Sequence, residues 1–326
     1  MKPFDWFQKT GFTPSEEQAE YLQNTGENWY TVEVRPPKTD SLPGTIPRFV
    51  QGILEIQSTW LGLKNTSPVT AYEIRRPQPE TLRLQYSTPT KRLERKVRTQ
   101  LTEVIPDVRF REGVNGIPVN TEEQVGGGLL TAGRKDHFPL NTDFDTPPIN
   151  AVVSTLHRHA MQDTRFIIQI LFQPVTGEPL RNWWWRKRGI QHRNYLKKEK
   201  KKLWGTIQPT RREKQQANSI DQKIGNSRFH VSIRFLIIGA SKQHIPSRVK
   251  ELASSFNRFE NPVTGQYLNA VTIQSLRKTS LLNYAEAVAQ RRYAGWSLSN
   301  RCTTEELAAL LALPSHSQQN IRHAEP

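Results

Sequence analysis

Two histidines two residues apart, His157 and His159, and a tyrosine, Tyr195, followed by Lys197 and Lys198, come nearest to a reaction centre in this chain. A His-x-His pair can hold a divalent metal that polarises a phosphodiester while a tyrosine hydroxyl attacks it. The setting works against that chemistry. The histidines close a helical pattern with Arg158 between them, and on a helix residues two apart point to different sides. Two surface histidines and a helix tyrosine is the plainer reading. A nucleotide-cradling loop would need GxxxxGK[ST], where glycine amides wrap phosphates and the lysine reaches them. No such string occurs. Gly126-Gly127-Gly128 lacks the lysine and the following helix, and reads as a close crossing of strands. Glu122, Glu123, Asp143 and Asp145 lie in loop-like sequence, and no Ser-His-Asp set can be assembled. The residues therefore nominate no catalytic group, no cofactor and no metal site.

Charge is the stronger signal. The 326-residue chain carries 46 Lys and Arg against 30 Asp and Glu, a net +16. Arg181 to Lys214 alone holds +11 of it, together with four tryptophans. A localised excess points to a polyanion contact at one place. The candidate contacts are Arg181, Trp183, Trp184, Trp185, Arg186, Lys187, Arg188, Arg193, Lys197, Lys198, Lys200, Lys201, Lys202, Arg211 and Arg212. Lys and Arg neutralise phosphates, and tryptophan stacks on exposed bases. Two other readings compete: a solvated or protein-contacting helix face, and attraction to an anionic membrane surface. The single cysteine, Cys302, excludes a disulfide framework and a cysteine-based zinc site. No apolar run of about 18 residues exists to span a bilayer, and MKPFDWFQKTGF lacks the apolar core of a signal peptide. The expectation is a soluble, cytoplasmic protein.

The elements that would carry these groups read as α+β. The clearest is Asn226 to Glu260. Phe229, Val231, Ile233, Phe235 and Ile237 alternate as a strand, and Ile245, Val249, Leu252, Phe256 and Phe259 form a helical stripe. Upstream, Trp29–Val34, Ile46–Ile56, Val69–Ile74, Thr81–Tyr86, Leu93–Val104 and Asp107–Arg111 give βαββαβ, the ferredoxin-like order. Val125–Ala132, Ile149–Met161, Phe166–Phe172, Phe229–Ile237, the Ile245 helix and Leu268–Ile273 give the same order around a long insertion. The expected organisation is an N-terminal helical arm (1–27), a ferredoxin-like unit (28–115), and a second unit (116–275) interrupted by a basic helical insertion (180–226). C-terminal helices (276–314) and a disordered tail (315–326) follow. Ser15 with Glu16 and Glu17, and Thr303 with Glu305 and Glu306, mark helix starts. Within the insertion, a Lys/Arg-rich helix is expected to run to Trp204 and a polar helix to begin at Arg211.

Two resemblances bear on function. His157, His159 and Tyr195 are similar to the metal site and nucleophile of rolling-circle nucleases and relaxases, which would imply a metal-dependent nicking enzyme. The second covers nearly the whole chain. WYTVEVRPP, TAYEIRR, LRLQYSTPTKRLERKVRTQLTEVIPDVRF, HFPLNTDFDTPPINAVVSTL, RFIIQILFQPV, NSRFHVSIRFLIIG and LSNRCTTEELAALLALP occur in this order. Together they resemble the non-catalytic N-terminal region of type IV secretion (conjugative) ATPases, of the HerA/FtsK-like class. Ala312 stands where that pattern has a histidine, and the Walker-bearing motor is absent, so no catalytic residue transfers. The resemblance implies a module beside a DNA-pumping ATPase, with DNA, the motor domain or subunit and channel components as partners, and a homo-oligomer as a further partner state. It places the chain at the cytoplasmic face of the membrane as a peripheral component. A standalone nucleic-acid-binding protein is the remaining alternative.

Overall fold

The computed structural model describes residues 9–25, 28–38, 46–59, 62–78, 81–155, 164–202, 205–293, 300–315, 321 and 323–324. The first half runs β1 (Gly11–Phe12), α1 (Glu16–Gln23), β2 (Tyr30–Arg35), α2 (Ile46–Gly52), β3 (Thr70–Gln78), β4 (Thr81–Thr88), α3 (Lys91–Val104) and β5 (Arg109–Glu112). The second runs β6 (Val125–Ala132), α4 (Ile149–Thr155), β7 (Arg165–Pro174), α5 (Pro179–Lys197), β8 (Lys200–Lys202), β9 (Gly205–Ile207), α6 (Arg211–Asn226) and β10 (Ser227–Ile238). It closes with α7 (Ile245–Ser254), β11 (Leu268–Thr272), α8 (Lys278–Ala289), β12 (Asn300–Thr303) and α9 (Thr304–Leu310). Among the described residues ten strands join one antiparallel sheet, in the order β1-β6-β10-β7-β3-β4-β2-β5, with β11 also on β6 and β12 on β10. The fold is α+β, built on a single large sheet.

Alternation divides the sheet into two unlike faces. Val32, Val34, Tyr72, Ile74, Leu84, Tyr86, Ile168, Ile170, Val231, Ile233 and Phe235 share one apolar face with residues of α2, α3, α4, α7 and α9. On the other, Val125, Leu129, Leu236 and Ile238 pack with residues of α1 and α8 at the β6 end only. The three glycines of β6 sit where both layers press in. An added methyl would stand 2.7 Å from Ile245 at Gly126, 2.5 Å from Val249 at Gly128, and 2.8 Å from Tyr284 at Gly127. The glycines thus serve a close approach of helices to both faces of β6, where a crossing of strands was expected.

The rest of that second face is polar yet buried. Register pairs Glu33 with Gln85, Gln85 with Glu73, Glu73 with Gln169, and Gln169 with Arg234, one row across five strands. All five side chains are buried. Glu73 accepts from Arg291 Nε at 2.8 Å and Nη2 at 3.2 Å, from Gln85 Nε2 at 2.6 Å and from Gln169 Nε2 at 2.7 Å. Arg75 lies 3.7 Å away as a second cation. Arg234 donates to Gln169 Oε1 and to the carbonyls of Ala287 (3.2 Å) and Arg292 (2.8 Å), where α8 ends. The row thus clamps α8 onto the seam between the two halves.

Four expectations change. The N-terminal arm and the C-terminal region, expected as helices, each add a short strand to the sheet, β1 and β12. The Lys/Arg-rich helix stops at Lys197 rather than running to Trp204, and Lys200–Lys202 pairs with Gly205–Ile207 as a small hairpin. A continued helix would set Lys197 over Lys201 and Lys198 over Lys202, like charges four apart, which is unfavourable. In the stretch expected to be a disordered tail, Ile321 and Ala324 are buried; Ile321 bridges Leu82 and Ala324 N donates to Pro36 O at 2.9 Å.

Burial pushes the Glu73 carboxyl pKa up, but Arg291 and Arg75 outweigh it and hold it down at about 2. A depressed folded-state pKa contributes stability above the ordinary value of 4.5, lost as pH falls towards about 2. Glu73→Gln keeps the shape and strands Arg291 and Arg75. It should cost about 3 kcal/mol in denaturant unfolding at neutral pH. The same variant should show a shallower loss of stability across that acid window than the parent.

Candidate functional site

The basic insertion folds as a helical hairpin. Along α5, Trp185, Gly189, His192 and Leu196 recur at helical spacing. Leu196 and Trp185 pack with Ala217, Ile220 and Ile224 of α6 and with Phe138 as a small separate core. Gly189 permits the contact, since a methyl there would stand 2.5 Å from Ile224 Cδ1. Thr210 opens α6: its backbone N–H donates to Glu213 Oε2 at 2.8 Å, and its Oγ1 accepts from Glu213 N at 3.2 Å. That is a reciprocal cap. One buried ion pair fastens the hairpin to the main body. Lys223 Nζ lies 2.9 Å from Glu306 Oε1 and 3.2 Å from Phe138 O. Glu306 also accepts from Thr303 N and Leu140 N, at 2.8 and 2.7 Å, so the carboxylate that caps α9 anchors α6 as well.

The predicted contact residues separate into groups. Trp183 and Trp184 are 52% and 53% exposed, meeting edge to face with ring centroids 5.2 Å apart. Lys187 Nζ stands 4.6 and 5.3 Å from their ring centres. Leu180, Trp183, Trp184 and Lys187 thus make an outward stripe. Trp185 differs: its Nε1 donates to Asp136 Oδ2 at 3.2 Å and the Arg301 guanidinium lies 4.6 Å from its ring. It anchors the helix instead of presenting a free ring. Arg186, Arg188, Lys197, Lys198, Arg211 and Arg212 are exposed. Arg181 pairs with Glu178 at 3.0 Å, and Arg193 pairs with Asp221. Lys200, Lys201 and Lys202 form the short strand β8 at the hairpin tip. Trp204 lies outside the described residues.

Against the base of α5 lies a cavity of about 670 Å³, lined by Lys135, Asp136, His137, Trp185, Arg188, Gln191, His192 and Tyr195. His137 Nε2 and His192 Nδ1 are 2.7 Å apart. Burial lowers the pKa of both rings, and nearby cations add to it. His192 and Lys135 with Lys223 hold His137 down at about 4; Lys135 and Arg134 act on His192. Both shifts favour the neutral form of the rings. Tyr195, nominated with His157 and His159, is 60% exposed at this cavity, beside a different histidine pair. His157 and His159 lie outside the described residues. His137 and His192 escaped the sequence reading because 55 residues separate them and no local spacing links them.

The comparison with known families matches this chain from residue 5 to 326. The chain belongs to the DUF8128 family. The family is described as a domain of unknown function. No curated protein matches this DUF8128 chain. Among its described residues no helix is long and apolar enough to cross a membrane.

Burial lowers the proton affinity of Lys223, but Glu306, Asp136 and Cys302 outweigh it and raise its pKa above the ordinary value. Lys223 therefore keeps its charge through the physiological range, and the stability its raised pKa contributes is lost as pH rises through the alkaline range. Lys223→Met should cost about 3 kcal/mol, because Glu306 is left charged and buried. In the Lys223→Met, Glu306→Gln double variant the loss should be smaller than the sum, by roughly 1–3 kcal/mol. Denaturant titration of the four proteins measures this.

Proposed function

We propose that this DUF8128 chain is a non-catalytic α+β module of a DNA-translocation machine, of the kind that accompanies type IV secretion ATPases. Its α5–α6 hairpin holds nucleic acid. The observation that carries the reading is the outward face of α5. Trp183 and Trp184 stay half exposed on the outer side of the helix, with Lys187 over both rings and the exposed Arg181, Arg186 and Arg188 beside them. A core lid would bury those rings. Aromatic faces between cations are the arrangement that stacks bases while neutralising phosphates.

The strand order supports the finer architectural reading. Numbered within each half, β5-β2-β4-β3 and β11-β6-β10-β7 both run 4-1-3-2, the order of a ferredoxin-like sheet. The halves, 28–115 and 116–275, meet through β3 and β7, and the hairpin leaves between β7 and β10 as an insertion in the second. In this reading the sheet is a platform for the motor domain or subunit, channel components or a second copy of the chain, at the cytoplasmic face of a membrane. The ordered resemblance to the ATPase N-terminal region points the same way.

The test is DNA binding at graded salt. Affinity should fall by roughly 0.7 to 0.9 log units per log unit of salt for each phosphate engaged, so five or six contacts cost on the order of a hundredfold between about 50 and 200 mM. Changing Lys197, Lys198, Lys200, Lys201 and Lys202 together to Gln should flatten the slope while leaving the unfolding midpoint unchanged. Trp183→Ala with Trp184→Ala should remove a preference for single strands of about 1–3 kcal/mol per base. An unchanged slope in the lysine variant, or binding to anionic vesicles with none to DNA, would overturn the reading.

A further inference from the structure

We propose that the cavity beneath α5 is a separate ligand site, and that its ligand is a sugar phosphate monoester that also carries an aromatic base: a nucleoside monophosphate, free or as the end of a strand. Its volume, about 670 Å³, falls in the range of small-molecule sites. Its charges favour an anion. Lys135 and Arg188 are exposed cations on its wall. The one carboxylate there, Asp136, is spent on the scaffold. Its oxygens accept from the Arg301 backbone N–H at 3.0 and 3.1 Å and from Trp185 Nε1. The exposed phenol ring of Tyr195 and the amide of Gln191 complete the rim, offering a face for a base and a neutral donor. A metal would fit poorly. Among the described residues no group of three or more His, Cys, Asp or Glu is placed to hold one, and the surrounding cations repel it.

The floor of the site is a histidine pair in an unusual state. At 2.7 Å the two neutral rings share one N–H, one donating and the other accepting. Arg134 and Lys135 face the pair from the β6–α4 connection, Arg188 and Tyr195 line the same cavity from α5, and Lys223 acts from α6. Lys223 is itself tied to Glu306, so the positive field is only partly cancelled. An anion seated against Lys135 and Arg188 offsets that field and favours a charged ring. Filling the site then takes up a proton, and affinity rises as pH falls.

The proposal is independent of the outer face of α5, and its test uses other residues. Adenosine 5′-monophosphate, inorganic phosphate and adenosine are titrated into the full chain by calorimetry. The monophosphate should bind more tightly than phosphate, and adenosine should not bind. Lys135→Gln, at an exposed position, should weaken the monophosphate about tenfold with an unchanged unfolding midpoint. Affinity should rise from about pH 8 to about pH 6.5, and His192→Gln should remove the part of that rise that exceeds the ligand's own titration. A 5′-phosphorylated oligonucleotide that outbinds its 5′-hydroxyl counterpart only when Lys135 is present identifies the strand end as the source; equal binding of the two identifies the free nucleotide. An affinity for the monophosphate that is undetectable, or indifferent to Lys135→Gln, overturns the proposal. DNA binding that persists in that case leaves the hairpin reading intact. Monophosphate binding without any DNA binding removes the hairpin reading and leaves this one.

Discussion

A charged carboxylate in the middle of a large sheet sets the terms for the rest of this structure. Glu73 lies on β3, next to the strand from the other half of the chain, and is buried on every side. Burying an ion costs several kcal/mol unless its partners are fixed around it. Those partners come from far apart: Arg291 from beyond α8, Gln85 from β4, Gln169 from β7, Arg75 from its own strand. Satisfying one side chain therefore fixes the β3–β7 register and the seat of α8 together. A slip of one residue would carry Glu73 to the opposite, apolar face.

The hairpin obeys a different logic. Its own apolar core is a handful of side chains, and most of α5 faces water. Such a unit has low local stability and opens more readily than the sheet. Lys223 and Glu306 counter this by joining it to the cap of α9, whose leucines sit in the main core. The strongest positive charge in the chain is thus displayed on an appendage, and its root is held by a buried ion pair. Charge density that would destabilise a core is tolerated where solvent screens it.

Close packing limits what β6 can be. Three consecutive glycines in a central strand are normally a weakness, because they pack nothing and lose more entropy on ordering. Here helices approach from both faces at distances that leave no room for a methyl. The loss is offset by the apolar contact that α7 and α8 gain with the sheet.

The periodicities of the chain, by themselves, determined eight strands of the platform, while the short β1 and β12 lie in segments that read as helical. Val125–Ala132 is bounded as its sequence reads, and the capping pattern at Thr303 forms as written. Period-2 alternation and cap chemistry are local, and local rules are visible in sequence. The sequence also located the charge, since +11 in 34 residues needs no fold to be seen. Tertiary structure decided what alternation leaves open. It covered the polar side of β2, β3 and β4, where strand period alone is silent about burial. It turned Trp185 inward while leaving Trp183 and Trp184 outside, because a helix advances 100° per residue and α6 covers one side. It ended α5 at Lys197, where Lys200–Lys202 pairs with Gly205–Ile207 instead. And it brought His137 to His192, a contact set by packing between distant segments, for which no spacing along the chain exists to be read.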